Sequence, residues 1–215
     1  MTNIGNDRAQ LHTMAQAAKE ATGKKKLKAL ADRGYFNGLQ IKACEDDNIA
    51  AFVPKPMTSN AKAEGRFDKT DFVYIAKQDT YRCPAGEQAI YRFSGIEKGL
   101  NVHVYWPSAC RQCALKSQCT TSSFRRIRRW EHEDVLERMQ QRLDRKPDAM
   151  TLRRCTVEHV FGTLKHWMGW THFLTRTIEH VGTEMSLHVL AYNMKRVINI
   201  LGMEKMMKAM KPAGA

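Results

Sequence analysis

Glu158 stands between two cations, Arg154 four residues before it and Lys165 seven after it, in the stretch RRCTVEHVFGTLKHWMGW at 153–170. On an α-helix each residue advances by about 100°, so both offsets return to nearly the same azimuth and the three side chains share a face. A carboxylate flanked in this way can hold a divalent metal while the cations hold phosphates on either side of it. That is the chemistry of cutting DNA. The same spacing also suits ordinary charges on the surface of an amphipathic helix, so the decision falls to the rest of the chain.

A second carboxylate, Asp32, has its place set by the segments around it. Asn6-Asp7 followed by Leu11, Met14, Ala15 and Ala18 reads as an N-cap and an amphipathic helix that ends at Gly23. Lys24 to Lys26 form a solvated turn or a weak phosphate contact. LKALA at 27–31 reads as a short strand, with Gly34 and Gly38 marking the turn that follows. A second helix is expected over 39–47 and a buried strand over IAAFV at 49–53, ended by Pro54 and Pro56. Helix, strand, helix, strand is the order of an α/β core with crossover connections. Ligand sites in such cores gather at the carboxyl ends of strands, which is where Asp32 falls.

From 57 to about 125 the pattern changes to short alternating pieces such as DFVYIA and NVHVYW, with Gly86, Gly95 and Gly99 as turn signals. This reads as a β-rich insertion. It contains Cys83, Cys110, Cys113 and Cys119, as C-P-A-G, C-R-Q-C and C-T. One CxxC with two outlying cysteines suits either a tetrahedral zinc site, which would hold a small module together, or four reduced and partly buried thiols. Cys44 and Cys155 lie in helical patterns and read as core residues.

The segment SFRRIRRW sets Arg125, Arg126, Arg128 and Arg129 around Ile127 and ends in Trp130. Two arginine pairs suit phosphate binding, and the tryptophan can stack on a base or buttress the segment; the plainer reading is a basic turn anchored to the core. Val135, Met139 and Leu143 mark a polar-faced helix that connects back to the core before Pro147. After GWTHFLTR, a turn and connector, a last long helix over 183–201 carries Leu187, Leu190, Ala191, Met194, Val197, Ile198 and Leu201 on an apolar packing face. The Met-rich tail from 203 is expected to fray. His159 and His166, seven apart, form no metal motif.

The charge balance favours a polyanionic partner. Lys and Arg number 35 against 22 Asp and Glu, a net +13, which points to nucleic acid. No apolar run reaches the ~20 residues that span a bilayer, and the first residues resemble no signal peptide. A cytoplasmic protein without a membrane partner is expected, and six cysteines there are metal ligands or buried thiols before they are disulfides.

ALADRGYFNG with Asp32, then the cysteine module, RRCTVEHVFGTLKHWMGW and EMSLHVLAYNMKRVINILG together resemble the transposases of bacterial insertion sequences with an RNase H-like, Asp-Asp-Glu core. The likeness runs from about residue 2 to 202, and its most specific part is A-D-x-G-Y-F combined with R-x3-E-x6-K. It implies an α/β fold: an incomplete RNase H-like core beginning in 1–57, a β-rich cysteine-containing insertion at 58–125, the helical remainder of the core at 126–202 and a disordered tail at 203–215. By the likeness Asp32 is the second aspartate and Glu158 the glutamate of the triad, with Arg154 and Lys165 clamping DNA ends. Two departures stand out. Thr151 occupies the place where the pattern has a tyrosine, and the first aspartate, on a strand ahead of the first helix, has no counterpart, so an N-terminally truncated and impaired enzyme is expected.

The resemblance also implies two Mg2+ ions held by the carboxylates, one activating water or a 3′ hydroxyl and the other stabilising the leaving oxygen. Partners would be transposon ends and target DNA, with a second copy or a full-length transposase beside them. The alternative is a truncated product that binds DNA without cutting it.

Overall fold

The structure, a computed structural model, describes residues 7–56, 61–167 and 172–210. The N-cap expected at Asn6, the start of the 57–125 segment, Gly169-Trp170 and the end of the tail lie outside them. The described residues divide into two compact units, one within Arg8–Arg145 and the other holding Asp7 and those from Lys146 onward.

In the first unit, helix α1 (Leu11–Thr22) is followed by strand β1 (Leu27–Leu30), helix α2 (Gly38–Asp46) and strand β2 (Ile49–Phe52). The two strands pair in parallel, Leu27 opposite Ile49 through to Leu30 opposite Phe52, with α2 as the crossover. These elements start and stop for local reasons. Gly23 ends α1 at φ 63°, in the left-handed region that glycine enters without a Cβ penalty. Asn37 caps α2 by accepting from the amides of Leu39 and Gln40. Helix α1 begins at Leu11 behind Gln10, which makes no side-chain cap.

Helix α3 (Glu133–Asp144) was expected as a connector and is part of the core instead. Val135 and Met139 are buried with Leu11, Ala15, Ile41, Cys44, Ile49, Ala51 and Val53. Its outer side is tied back to α2, where Glu45 accepts from Arg138 at 2.6 Å and from Arg142 at 3.3 Å. The charged residues of this helix mask a narrow apolar stripe, which is why its sequence reads as polar.

Between β2 and α3 the chain forms a five-stranded antiparallel meander: β3 (Val73–Ile75), β4 (Thr80–Arg82), β5 (Gln88–Glu97), β6 (Leu100–Trp106) and β7 (Ile127–Trp130). The last strand lies beyond the expected boundary at 125, because Ile127 to Trp130 pair with Tyr105 to Val102. Gly86 and Gly99 occupy turns at positive φ, whereas Gly95 sits inside β5 opposite Val102. One face of the sheet buries Phe72, Tyr81, Ala89, Tyr105 and Ile127. The Tyr74 and Tyr105 hydroxyls both donate to Asp79 Oδ1, at 2.7 and 2.8 Å.

Trp130 joins the sheet to α2, and Glu133 joins it to α3. The Trp130 ring lies over Gly38 so closely that a Cβ there would stand 3.1 Å from it. Glu133, buried, accepts from Lys69 Nζ at 2.7 Å and from the Trp130 amide at 3.2 Å. Those contacts hold its carboxyl below its ordinary value although burial alone would raise it. Lys69 is lowered as well, because burial disfavours its ammonium and Glu133 beside it pulls the other way.

In the second unit the helix over 149–167 is not uniform. It runs as α4 (Ala149–Arg153), a π-helical stretch Arg154–Glu158, α5 (His159–Gly162) and a second π-helical stretch Thr163–Trp167. Helix α6 (Ile178–Leu201) starts five residues earlier than expected, and α7 (Met203–Met210) forms where a frayed tail was expected. None of the residues of α6 is buried, so Leu187, Leu190 and Met194 of the expected packing face are exposed.

Candidate functional site

Asp32 follows β1 directly, behind Ala31, whose amide donates to Phe52 O at 3.1 Å and so extends the strand pairing by one residue. The carboxylate caps a short 3-10 turn, Arg33–Tyr35, accepting from the Gly34 amide at 2.8 Å. One oxygen is held by the backbone, which fixes the direction of the group at the carboxyl end of the strand. A side chain at position 34 would meet Asp32 Oδ1 at 3.0 Å, and this explains the glycine in A-D-x-G.

Glu158 ends the first π-helical stretch and is exposed, as are Arg154 and Lys165. The cation that contacts Glu158 is Arg153, which is neither of the two predicted to share its face: Arg153 Nη1 donates to Glu158 Oε1 at 3.1 Å. A π-helix closes its turns over five residues instead of four, so residue i−5 takes the place beside the carboxylate. The shared face that the 100° periodicity predicts for Arg154, Glu158 and Lys165 assumes α-helical winding throughout, and two of the four stretches between 149 and 167 do not have it. Asp32 belongs to the Arg8–Arg145 unit and Glu158 to the other. Among the described residues no group of three or more His, Cys, Asp or Glu side chains is drawn up as a metal site.

The four arginines of SFRRIRRW divide by face. Arg129 is buried: it donates to Tyr81 Oη at 3.3 Å and to both carboxylate oxygens of Glu137, and lies 3.7 Å above the Tyr74 ring. Burial opposes its charge, but Glu137 and Tyr81 outweigh burial and raise its pKa. Burial also pushes the Tyr81 hydroxyl up to about 12. Arg125 lies over Phe72. Arg126 and Arg128 are exposed, Arg126 over the Trp106 ring at 5.8 Å and Arg128 paired with Glu97 at 2.7 Å. Trp130 buttresses the strand from within the core.

Sequence reasoning missed the neighbours of Arg126. Arg92 lies 5.3 Å from the Trp106 ring centre, and Arg111 lies 5.2 Å from that of Phe124. The Phe93 and Phe124 rings each stand 6.0 Å from Trp106. Guanidinium and aromatic surfaces thus alternate on one side of the sheet, the composition that tracks nucleic-acid backbones and stacks on bases. The signal was present in YRF at 91–93 and VYW at 104–106, but a hairpin register was needed to align them.

The four cysteines of the sheet region come together. Cys83, Cys110, Cys113 and Cys119 all line one pocket of about 30 Å³. Burial raises the Cys119 thiol; Arg125 beside it pulls the other way, and the three remaining thiols add to the rise.

The family model of the transposase DDE domain matches residues 82–198, more than half of the chain. The chain belongs to that family. No curated protein and no solved structure matches it. This transposase domain accordingly has a role in transposition, with DNA as the substrate that membership implies, and DDE domains in general depend on divalent metal. Its α/β architecture, with a curled antiparallel sheet and flanking helices, is compatible with part of an RNase H-like fold. Among the described residues no helix of the transposase domain is long and apolar enough to cross a membrane.

Proposed function

We propose that Asp32 and Glu158 are carboxylates of a metal-dependent DNA-cutting and strand-joining site, with Arg154 and Lys165 holding phosphates beside it. The observation that carries this reading is Asp32, a carboxylate fixed at the carboxyl end of the first strand of a parallel pair, where ligands of α/β folds gather. The donor chemistry fits Mg2+, which prefers hard oxygen ligands and keeps waters and substrate phosphates in its shell. When bound, the metal would activate an attacking oxygen and neutralise the leaving one. In this reading Asp32 and Glu158 would supply carboxylate oxygens to the cation. In this reading the meander is an insertion within the RNase H-like core, and Arg126 and Arg128 are its phosphate contacts, while Arg125 and Arg129 serve packing.

Two carboxylates hold a divalent cation less tightly than three, so weak cutting beside firm DNA binding is expected. A second reading, DNA binding without cutting, draws on the exposed arginine and aromatic side of the sheet. Asp32→Asn and Glu158→Gln, separately and together, distinguish the two. Under the first reading any Mg2+-dependent nicking of plasmid is lost in each variant while DNA binding remains. Nicking that survives the double substitution would refute the assignment. Binding with no nicking in the unmodified chain, with any Mg2+ supplied, would favour the second.

A further inference from the structure

The proposed function leaves the cysteines unused. Cys83 lies in the turn after β4, where its amide donates to Glu87 O and Gly86 donates back to Cys83 O, both at 2.9 Å. Cys110, Cys113 and Cys119 lie in the connection between β6 and β7, where Lys116 N donates to Cys113 O at 3.1 Å and Cys119 N to Lys116 O at 3.0 Å. Both segments are tight backbone turns that present sulfur to the same pocket.

We propose that Cys83, Cys110, Cys113 and Cys119 bind one structural Zn2+ that pins the β6–β7 connection to the β4–β5 turn.

Three features support it. The connection, 107–126, has little regular structure beyond the short 3-10 turn Ser108–Gln112, and loops of this length rarely hold a shape without a cross-link or packing of their own. The apolar cluster beneath it comprises only five buried residues, Phe72, Tyr81, Ala89, Tyr105 and Ile127, too few to fix a further twenty or so residues by burial. Lastly, Arg125 lines the same pocket, and its Nε is buried without a hydrogen-bond acceptor. Four neutral thiols offer a guanidinium only weak acceptors, whereas four thiolates around one Zn2+ carry a net charge of about −2 and match it. Sulfur is also the soft ligand that selects zinc over magnesium, so this site would not compete for the metal of the carboxylates. The four thiols share this pocket, although among the described residues they are not drawn up as a metal site.

The test uses the full chain, purified without chelator or metal-affinity steps, and needs no DNA. Elemental analysis should find one zinc per chain. Exchange with Co2+ should give thiolate charge-transfer absorption and the intense visible bands of a tetrahedral sulfur site. A strong chelator should make four further thiols reactive towards a thiol reagent. Cys83→Ser and Cys119→Ser should each lose the stoichiometric metal, while Cys155→Ser, an exposed cysteine elsewhere, should keep it. Absence of zinc, a Co2+ spectrum without sulfur bands, or thiol reactivity unchanged by chelation would each overturn the proposal, and all three are read on the unsubstituted protein.

Discussion

Arg128 and Arg129 are adjacent on β7 and point to opposite faces, so replacing each by methionine separates packing from surface charge. The Arg129 side chain is 9% exposed. Arg129→Met removes its bonds to Glu137 and Tyr81, which as charge-assisted bonds are worth about 1.5–3 kcal/mol, and its contact with the Tyr74 ring, worth about 0.5–2 kcal/mol. Methionine restores part of the apolar stem. Glu137, 45% exposed, takes up water once released, so the larger penalty of a stranded buried charge does not apply. The net expectation is a loss of about 2–4 kcal/mol. Arg128 and Glu97 are 57% and 47% exposed, and pairs of that kind contribute about 0–1 kcal/mol. Urea denaturation followed by tryptophan fluorescence should therefore show a clearly lower midpoint for Arg129→Met and a nearly unchanged one for Arg128→Met. DNA binding measured in rising salt should show the reverse, with a shallower salt dependence for Arg128→Met alone. If Arg129→Met loses no more stability than Arg128→Met, the division of this segment by face is wrong.

Three further outcomes follow from the packing. Because the Glu133 carboxyl is lowered from its ordinary value of 4.5, the stabilisation it supplies is complete above that value and is lost as pH falls through the lower folded one; Glu133→Gln should flatten this acid limb of a stability-against-pH profile. Met139, 1% exposed in the core, should cost about 2–5 kcal/mol when replaced by alanine, measured by the same denaturation, and a loss below 1 kcal/mol would mean that α3 is only a connector. Gly34→Ala forces its Cβ to 3.0 Å from Asp32 Oδ1, so any metal-dependent nicking should fall with little change in DNA binding; unchanged nicking would mean that the turn does not orient the carboxylate.

Much of the first unit was legible because its signals are local. Gly23, Asn37 and the apolar run 49–53 each act on their own neighbours, and the helix and strand limits follow within a few residues. The position of Asp32 followed from them. What could not be read depends on partners distant in sequence. Arg129 and Arg128 look alike in SFRRIRRW, and only pairing with β6 and packing against Tyr81 and Glu137 tells them apart. The polar look of α3 hid Met139 and Val135, since a narrow stripe suffices when the opposing surface is supplied by α2 and β2. At Glu158 uniform α-helical winding puts Arg154 and Lys165 on one face with the carboxylate, whereas in the π-helical stretch it is Arg153 that reaches it.

The clasp of Arg138 and Arg142 on Glu45 closes over 93 and 97 residues of chain. Loop-closure entropy grows only with the logarithm of length, about 0.6 kcal/mol for each doubling, so the thermodynamic cost of housing the whole meander between α2 and α3 is small. Kinetics are less forgiving. The hairpins from β3 to β6 join residues near in sequence and can form early, whereas α3 must find α2 across the entire excursion. Until it docks, Ile41, Cys44 and Val53 lack their cover from Val135 and Met139, and the nascent chain is at its most prone to aggregate in that interval. Lengthening or shortening the meander should therefore alter the yield of folded protein more than the stability of what has folded.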